Sequence, residues 1–186
     1  MVDKEKIESL ISELLLAIGE NPEREGLKET PARVARFWKE FIDYDSGKVS
    51  TAFDSVTEPG SQMVVVGPMR VWSLCEHHLL PFYADVVVGY IPEGNILGLS
   101  KFARIAHQYA HKLSVQERLV TEIAEDIKKY TKSENVAVIA YGEHLCMTMR
   151  GIKTPSKTVS SVVNGAFMQE VSTRSELFNI ARSLVE

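Results

Sequence analysis

Residues 63–91 read MVVVGPMRVWSLCEHHLLPFYADVVVGYI, and this stretch decides the fold. Two runs in it, 63–75 and 83–91, are rich in Val, Tyr and Ile and predict two strands. The second run is apolar on both faces, so it should lie largely buried. Between them sits Cys75-Glu76-His77-His78, a C-x-x-H spacing at the end of a strand. Such a pair can place a sulfur and a nitrogen on one ion with little loop strain.

Outward from there the period changes. Residues 100–130 predict helix interrupted near Leu113-Ser114, with Leu119, Ile123, Ile127 and Tyr130 forming one apolar stripe. Residues 135–149 predict a long strand, 158–168 another, and the tail from Thr173 a last helix. Upstream, 3–19 predicts an amphipathic helix with Ile7, Leu10, Ile11, Leu14 and Ile18 on its stripe. A second helix, capped by Thr30 with Pro31 in its first turn, runs to about Tyr44, and 45–60 reads as a connector. The order αα, ββ, αα, ββ, α fits an α+β fold with helices on one face of an antiparallel sheet. We expect an N-terminal helical region and connector over 1–60 and a second domain over 61–186.

Bulk properties exclude several classes. The 186 residues are 45% hydrophobic and 25% charged with net charge −4, ordinary for a globular protein. That balance argues against a general nucleic-acid or membrane-surface binder, so an anionic ligand needs a local basic cluster. No apolar run is long enough to span a membrane, and the first residues lack a signal-peptide core. The expectation is a cytoplasmic protein. In a reducing compartment two cysteines near histidines are more often metal ligands or catalytic groups than a disulfide.

A third metal donor is available in Glu143-His144-Leu145-Cys146. Strand alternation would put His144, Cys146, Thr148 and Arg150 on one face. Cysteine thiolates and imidazole suit zinc. A fourth ligand from His77 or His144 would close the site as a structural one. Three protein ligands would leave a position for water, activated near pH ~7. Imidazoles beyond those one zinc needs suggest acid–base work.

Other motifs stay open at this level. Gly98-Leu99-Ser100-Lys101-Phe102-Ala103-Arg104 opens a helix whose start could hold a phosphate, or Ser100 could be only a cap. Ser114-Val115-Gln116-Glu117 matches a capping box, or Glu117 could accept two N–H groups from a guanine edge. Arg33 and Arg36 share a helix face and read as surface charges, and His107 and His111 as ordinary helix histidines.

Taken together and in order, Cys75-Glu76-His77-His78-Leu79, Gly98-Leu99-Ser100-Lys101, Val115-Gln116-Glu117-Arg118-Leu119 and His144-x-Cys146-x-x-x-Arg150-Gly151 resemble the GTP cyclohydrolase I family. Glu29-Thr30-Pro31-x-Arg33-Val34-Ala35-Arg36 is similar to its N-terminal signature. The resemblance implies a tunnelling fold, a ββααββ unit whose antiparallel sheets assemble into a ring-shaped barrel, with two pentamers forming a decamer. It implies conversion of GTP and water to 7,8-dihydroneopterin triphosphate and formate, the first step toward folate or other pterins. Cys75, His78 and Cys146 then match the zinc ligands, with water at the open position attacking C8. His144 matches the residue that protonates the imidazole ring, and His77 a second acid–base residue. Glu117, with Gln116 beside it, matches guanine recognition. Ser100, Lys101, Arg104 and Arg150 match the triphosphate pocket, and Arg33 and Arg36 match bases reaching it from another subunit. Two departures stand out. His111-Lys112 replaces arginine found in many relatives, and the short N-terminus puts control by a separate regulatory protein in doubt. A related pterin- or deazapurine-processing enzyme and a non-catalytic zinc-stabilised assembly protein are the competing readings.

Overall fold

The computed structural model describes residues 2–49, 52–54 and 62–186, which divide into two compact units, Met1–Asp45 and Ser46–Glu186. The expected boundary near residue 60 lies outside the described residues, as does part of the expected connector.

The first unit is a pair of helices packed on each other, α1 (Lys4–Ala17) and α2 (Thr30–Ile42). Asp3 caps α1 by accepting the Lys6 N–H at 2.9 Å. Thr30 does not cap α2. It is the first helical residue, Glu29 takes the cap position without a side-chain bond, and Pro31 stands in the first turn as expected. Leu15 is the buried residue of α1, whereas Leu10, Leu14 and Ile18 of the expected stripe are exposed.

The second unit runs β1 (Ala52–Asp54), β2 (Val64–Cys75), β3 (Pro81–Tyr90), β4 (Asn95–Leu97), α3 (Leu99–Ala110), β5 (Leu113–Ser114) and α4 (Gln116–Thr131). It continues with β6 (Val136–His144), α5 (Leu145–Thr148), β7 (Lys157–Val163), α6 (Ala166–Gln169) and α7 (Val171–Val185). The main sheet has five strands in the order β5-β2-β3-β6-β7, antiparallel except for the short parallel β2–β5 pairing. β1 and β4 form a separate ribbon.

Period-2 alternation on β3 explains why the sheet needs cover on both sides. Phe82, Ala84, Val86, Val88 and Tyr90 face a core filled by Phe102 and Ile105 of α3 and by Leu119, Ile123 and Ile127 of α4. Each buried Val, Leu, Ile or Phe side chain among these contributes about 1.5–3 kcal/mol. On the opposite face Val87, Ala137 and Ile139 pack with Phe167 of α6 and with Leu177 and Ala181 of α7. Helices therefore pack on both faces, correcting the one-sided expectation: Val87, Ala137 and Ile139 make part of the second face apolar, and α6 and α7 cover that part. Gly89 of β3 admits α7 closely, since a Cβ there would lie 2.5 Å from Leu177 Cδ1.

The expected helix break at Leu113-Ser114 is β5, which pairs Leu113 with Leu74 and Ser114 with Cys75. The expected long strand over 135–149 is shorter. β6 stops at His144, and the chain turns into the short helix α5. Its last partner on β3 is Phe82, and the next position there is Pro81, which has no N–H to extend the ladder.

Candidate active site

Three strand ends meet at one end of the sheet. β2 delivers Cys75 as its final residue, β6 delivers His144, and β5 pairs Ser114 beside Cys75 and leads straight into Gln116 and Glu117 of α4. The turn after Cys75 is held by Leu79, at φ 54, whose N–H donates to the Cys75 carbonyl at 2.8 Å. A side-chain clamp holds it too. Arg118 of α4 bonds both carboxylate oxygens of Glu76, one of them at 3.1 Å, and the Glu76 N–H donates to Ser114. The Arg118 guanidinium, by hydrogen bond and charge, holds the Glu76 carboxyl below its ordinary range.

Cys75, His78 and Cys146 come together with their donor atoms all within 4.8 Å of one another. Cys75 Sγ lies 3.7 Å from His78 Nδ1. Two such ligands on one tetrahedral zinc would stand about 3.6 Å apart, so this pair fits that ion in spacing and all three donors fit it in chemistry. Burial, with Cys75 next to it, pushes the Cys146 thiol up. Cys146 does not reach this place by strand alternation, as the sequence pattern suggested. It arrives on the first turn of α5, and Thr148 bonds back to the His144 carbonyl instead of sharing a strand face with it. His77 lies next to the cluster, its Nδ1 3.9 Å from Cys75 Sγ, but is not one of the three mutually close donors.

His144 is wedged at the end of β6. The ring of Phe82 stacks on it at 4.6 Å and 15°. Gln116 Oε1 lies 3.0 Å from its Nε2. Burial lowers the imidazole's pKa, and the charge of nearby Glu117 opposes that only in part. The capping box expected at Ser114–Glu117 is absent. Val115 holds the cap position, Ser114 is buried in β5 with its hydroxyl on the Val115 carbonyl, and no side chain caps the helix. Glu117 is exposed, and among the described residues its carboxylate bonds no protein group.

The basic candidates are more dispersed. Gly98, not Ser100, caps α3, which leaves the Ser100 hydroxyl exposed in the first turn. Lys101 Nζ donates to the Lys48 carbonyl at 2.9 Å, and Arg104 donates to the Ser46 carbonyl. Arg150 is exposed beyond α5. Arg33, paired with Glu29 at 2.7 Å, and Arg36 are exposed on α2 of the first unit. A cavity of about 660 Å³ opens on the α7 side of the sheet, lined by Tyr141, Val159, Phe178 and Arg182 among others, and holds none of the candidate ligands. Phe82, Gly142 and the Arg118–Glu76 clamp were not singled out from sequence. Only Gly142 carried a signal, as a lone glycine inside a strand beside His144.

A family model described as GTP cyclohydrolase I matches residues 7–182. The GTP cyclohydrolase 1 of Carboxydothermus hydrogenoformans is 48% identical over 179 residues, 95% of this chain and 93% of that protein. The GTP cyclohydrolase 1 of Hyperthermus butylicus is 45% identical over 180 residues, 96% of this chain and 91% of its own length. That of Aquifex aeolicus is 43% identical over 187 residues, covering 98% and 99%. A solved structure described as archaeosine synthase QueF-Like in the apo form aligns with 56% of this chain at a TM-score of 0.45 and 21% identity, too distant to argue from.

Proposed function

The chain belongs to the GTP cyclohydrolase I family and is an enzyme of that class, and on that premise we propose that it opens the purine ring of GTP by zinc-dependent hydrolysis. The products are formate and 7,8-dihydroneopterin triphosphate, on the way to folate or other pterins. Family membership supports the conversion of GTP. The observation that carries the mechanism is the Cys75–His78–Cys146 donor set, with His144 at the adjoining strand end.

Cys75, His78 and Cys146 would hold the zinc, which would supply Lewis acidity toward a water at the substrate's C8. The protein's own groups do the rest. His144, whose charged form burial disfavours, exchanges a proton with the imidazole ring of the substrate, and exposed His77 serves as a second acid–base group. Glu117, whose carboxylate is not spent on a cap, accepts N–H groups from the guanine edge, with Gln116 beside it. Ser100, Lys101 and Arg104 at the start of α3, with Arg150, bind the triphosphate, and Lys101 and Arg104 release carbonyls of residues 46–48 to do so. Arg33 and Arg36 add charge from a neighbouring subunit on the strength of the resemblance.

The catalytic domain in this reading is 61–186, and it works in a decamer of two pentameric rings. β7 supports the ring, because its outer edge pairs with no strand among the described residues and such an edge calls for a partner. We place the enzyme in the cytoplasm, without nucleic-acid or membrane partners; no helix among the described residues is long and apolar enough to cross a membrane. Zinc-loaded protein incubated with GTP should release formate and a dihydropterin, and chelator should stop both. Absence of product from the loaded enzyme would overturn the proposal.

A further inference from the structure

Gln116 follows Val115 at the start of α4, yet its side chain turns inward and is 1% exposed. Its Nε2 sits 3.0 Å from the Ala140 carbonyl, 3.1 Å from the Thr158 carbonyl and 3.3 Å from Ser160 Oγ. Backbone carbonyls only accept, so the amide nitrogen must face them and the amide oxygen must face away. That oxygen meets His144 Nε2 at 3.0 Å. An amide oxygen cannot donate, so Nε2 carries the proton of this bond. In a neutral imidazole the other nitrogen, Nδ1, then holds the lone pair. Among the described residues no protein group bonds Nδ1.

The space for this arrangement is built in. Gly142 of β6 lies directly against the amide, and a Cβ there would be 2.0 Å from Gln116 Oε1. The stacked Phe82 ring closes one face of the imidazole. A solvated glutamine reaching for a ligand needs none of these features.

We propose that Gln116 is a positioning residue: its locked amide holds His144 by the Nε2–H and leaves Nδ1 as the ring nitrogen that meets the substrate. Gln116 then acts through His144 and not on the guanine edge, which is left to Glu117. The inference deepens the GTP ring-opening reading and rests on it for the identity of the substrate, but not for the state of the ring.

The test reads the ring nitrogens directly. Zinc-loaded enzyme carrying ring-¹⁵N histidine is measured by solid-state NMR above the histidine titration range, and His144 is identified by its loss in His144→Gln. The expected result is a protonated, pyrrole-type Nε2 and an unprotonated, pyridine-type Nδ1 at that residue. A proton on Nδ1 in the unaltered enzyme overturns the proposal. In Gln116→Met the preference for the Nε2–H form should disappear, and kcat should fall by about 10–100-fold while KM for GTP stays within about twofold. A raised KM with unchanged kcat would assign Gln116 to guanine binding and equally overturn it. Ser160→Ala, which removes one contact to the amide, should give the same changes in smaller measure if Gln116→Met does not fold. Should the unaltered enzyme fail to turn over GTP at all, the substrate reading falls, while the ring signals still decide this one.

Discussion

Gly142→Ala tests whether the space between β6 and α4 is occupied as described. The new methyl would stand 2.0 Å from Gln116 Oε1 and 3.0 Å from both Gln116 Cδ and the Tyr83 carbonyl oxygen. Carbon atoms do not approach oxygen closer than about 3 Å, so the amide must retreat by roughly 1 Å. It cannot do so freely, because its nitrogen is bonded to Ala140, Thr158 and Ser160 across two strands. Overpacking of this kind costs about 1–3 kcal/mol. Losing the His144 bond and one of the amide N–H bonds adds about 0.5–1.5 kcal/mol each. The sum is about 2–6 kcal/mol, which for a chain of this size lowers Tm by roughly 5–20 °C at fixed protein and zinc concentration. Gly94→Ala is the matched control, since a Cβ there meets nothing within 4 Å. Differential scanning calorimetry and steady-state GTP turnover on the two variants decide the matter. A Gly142→Ala enzyme with unchanged Tm and unchanged kcat would refute the packing and the placement of Gln116 with it.

Cys75→Ser and Cys146→Ser should each bring zinc, measured by elemental analysis, from one per chain to near zero and abolish formate release. His144→Ala should keep its zinc and lose ring opening by about 10²–10⁴-fold in kcat, the usual reach of one general acid–base group; full activity would remove His144 from the mechanism. Glu76→Gln tests the clamp through pH. The folded carboxyl is held below its ordinary value by Arg118, so its stabilisation is present above the ordinary carboxylate range and is lost as pH falls through the depressed folded value. The Tm gap between the unaltered protein and Glu76→Gln should therefore be open near neutrality and close on acidification below about pH 4. A gap that stays constant across that range would assign the loss to packing instead of charge.

Much of the fold was legible because its signals are local. Val-rich alternation marks β2 and β3, and the 3.6-residue period marks α4, whose Leu119, Ile123 and Ile127 are all fully buried. The candidate donor cluster was legible too, since cysteine and histidine at close spacing are rare without a reason. What sequence could not show is non-local. Whether β6 continues past His144 depends on a proline in another strand, Pro81, that no window around 144 contains. The capping pattern at Ser114–Glu117 fails for a similar reason: β2 draws Ser114 into the sheet, and the helix begins one step later than the motif implies. Gln116 shares its surroundings with residues 140, 142, 158 and 160, so a neighbour-based reading pairs it with Glu117 when its chemistry faces the opposite way.

The placement of Cys75 and His144 follows from those same strand ends. Cys75 and His144 are each the last residue of a strand whose preceding positions are locked into one core, so their Cα atoms inherit the rigidity of the sheet. Beyond them the chain must turn, at Leu79 in one case and through α5 in the other, and it is these turns that carry His78 and Cys146 to the donor cluster. A metal bound there would tie two turns that the sheet alone does not fix, whereas His144 is fixed without it by Phe82 and Gln116. Removing zinc should accordingly loosen residues 76–79 and 145–150 in hydrogen exchange while leaving the amides of β6 up to residue 144 protected. Equal loss of protection across β6 would mean that the metal, and not the strand, sets the position of His144.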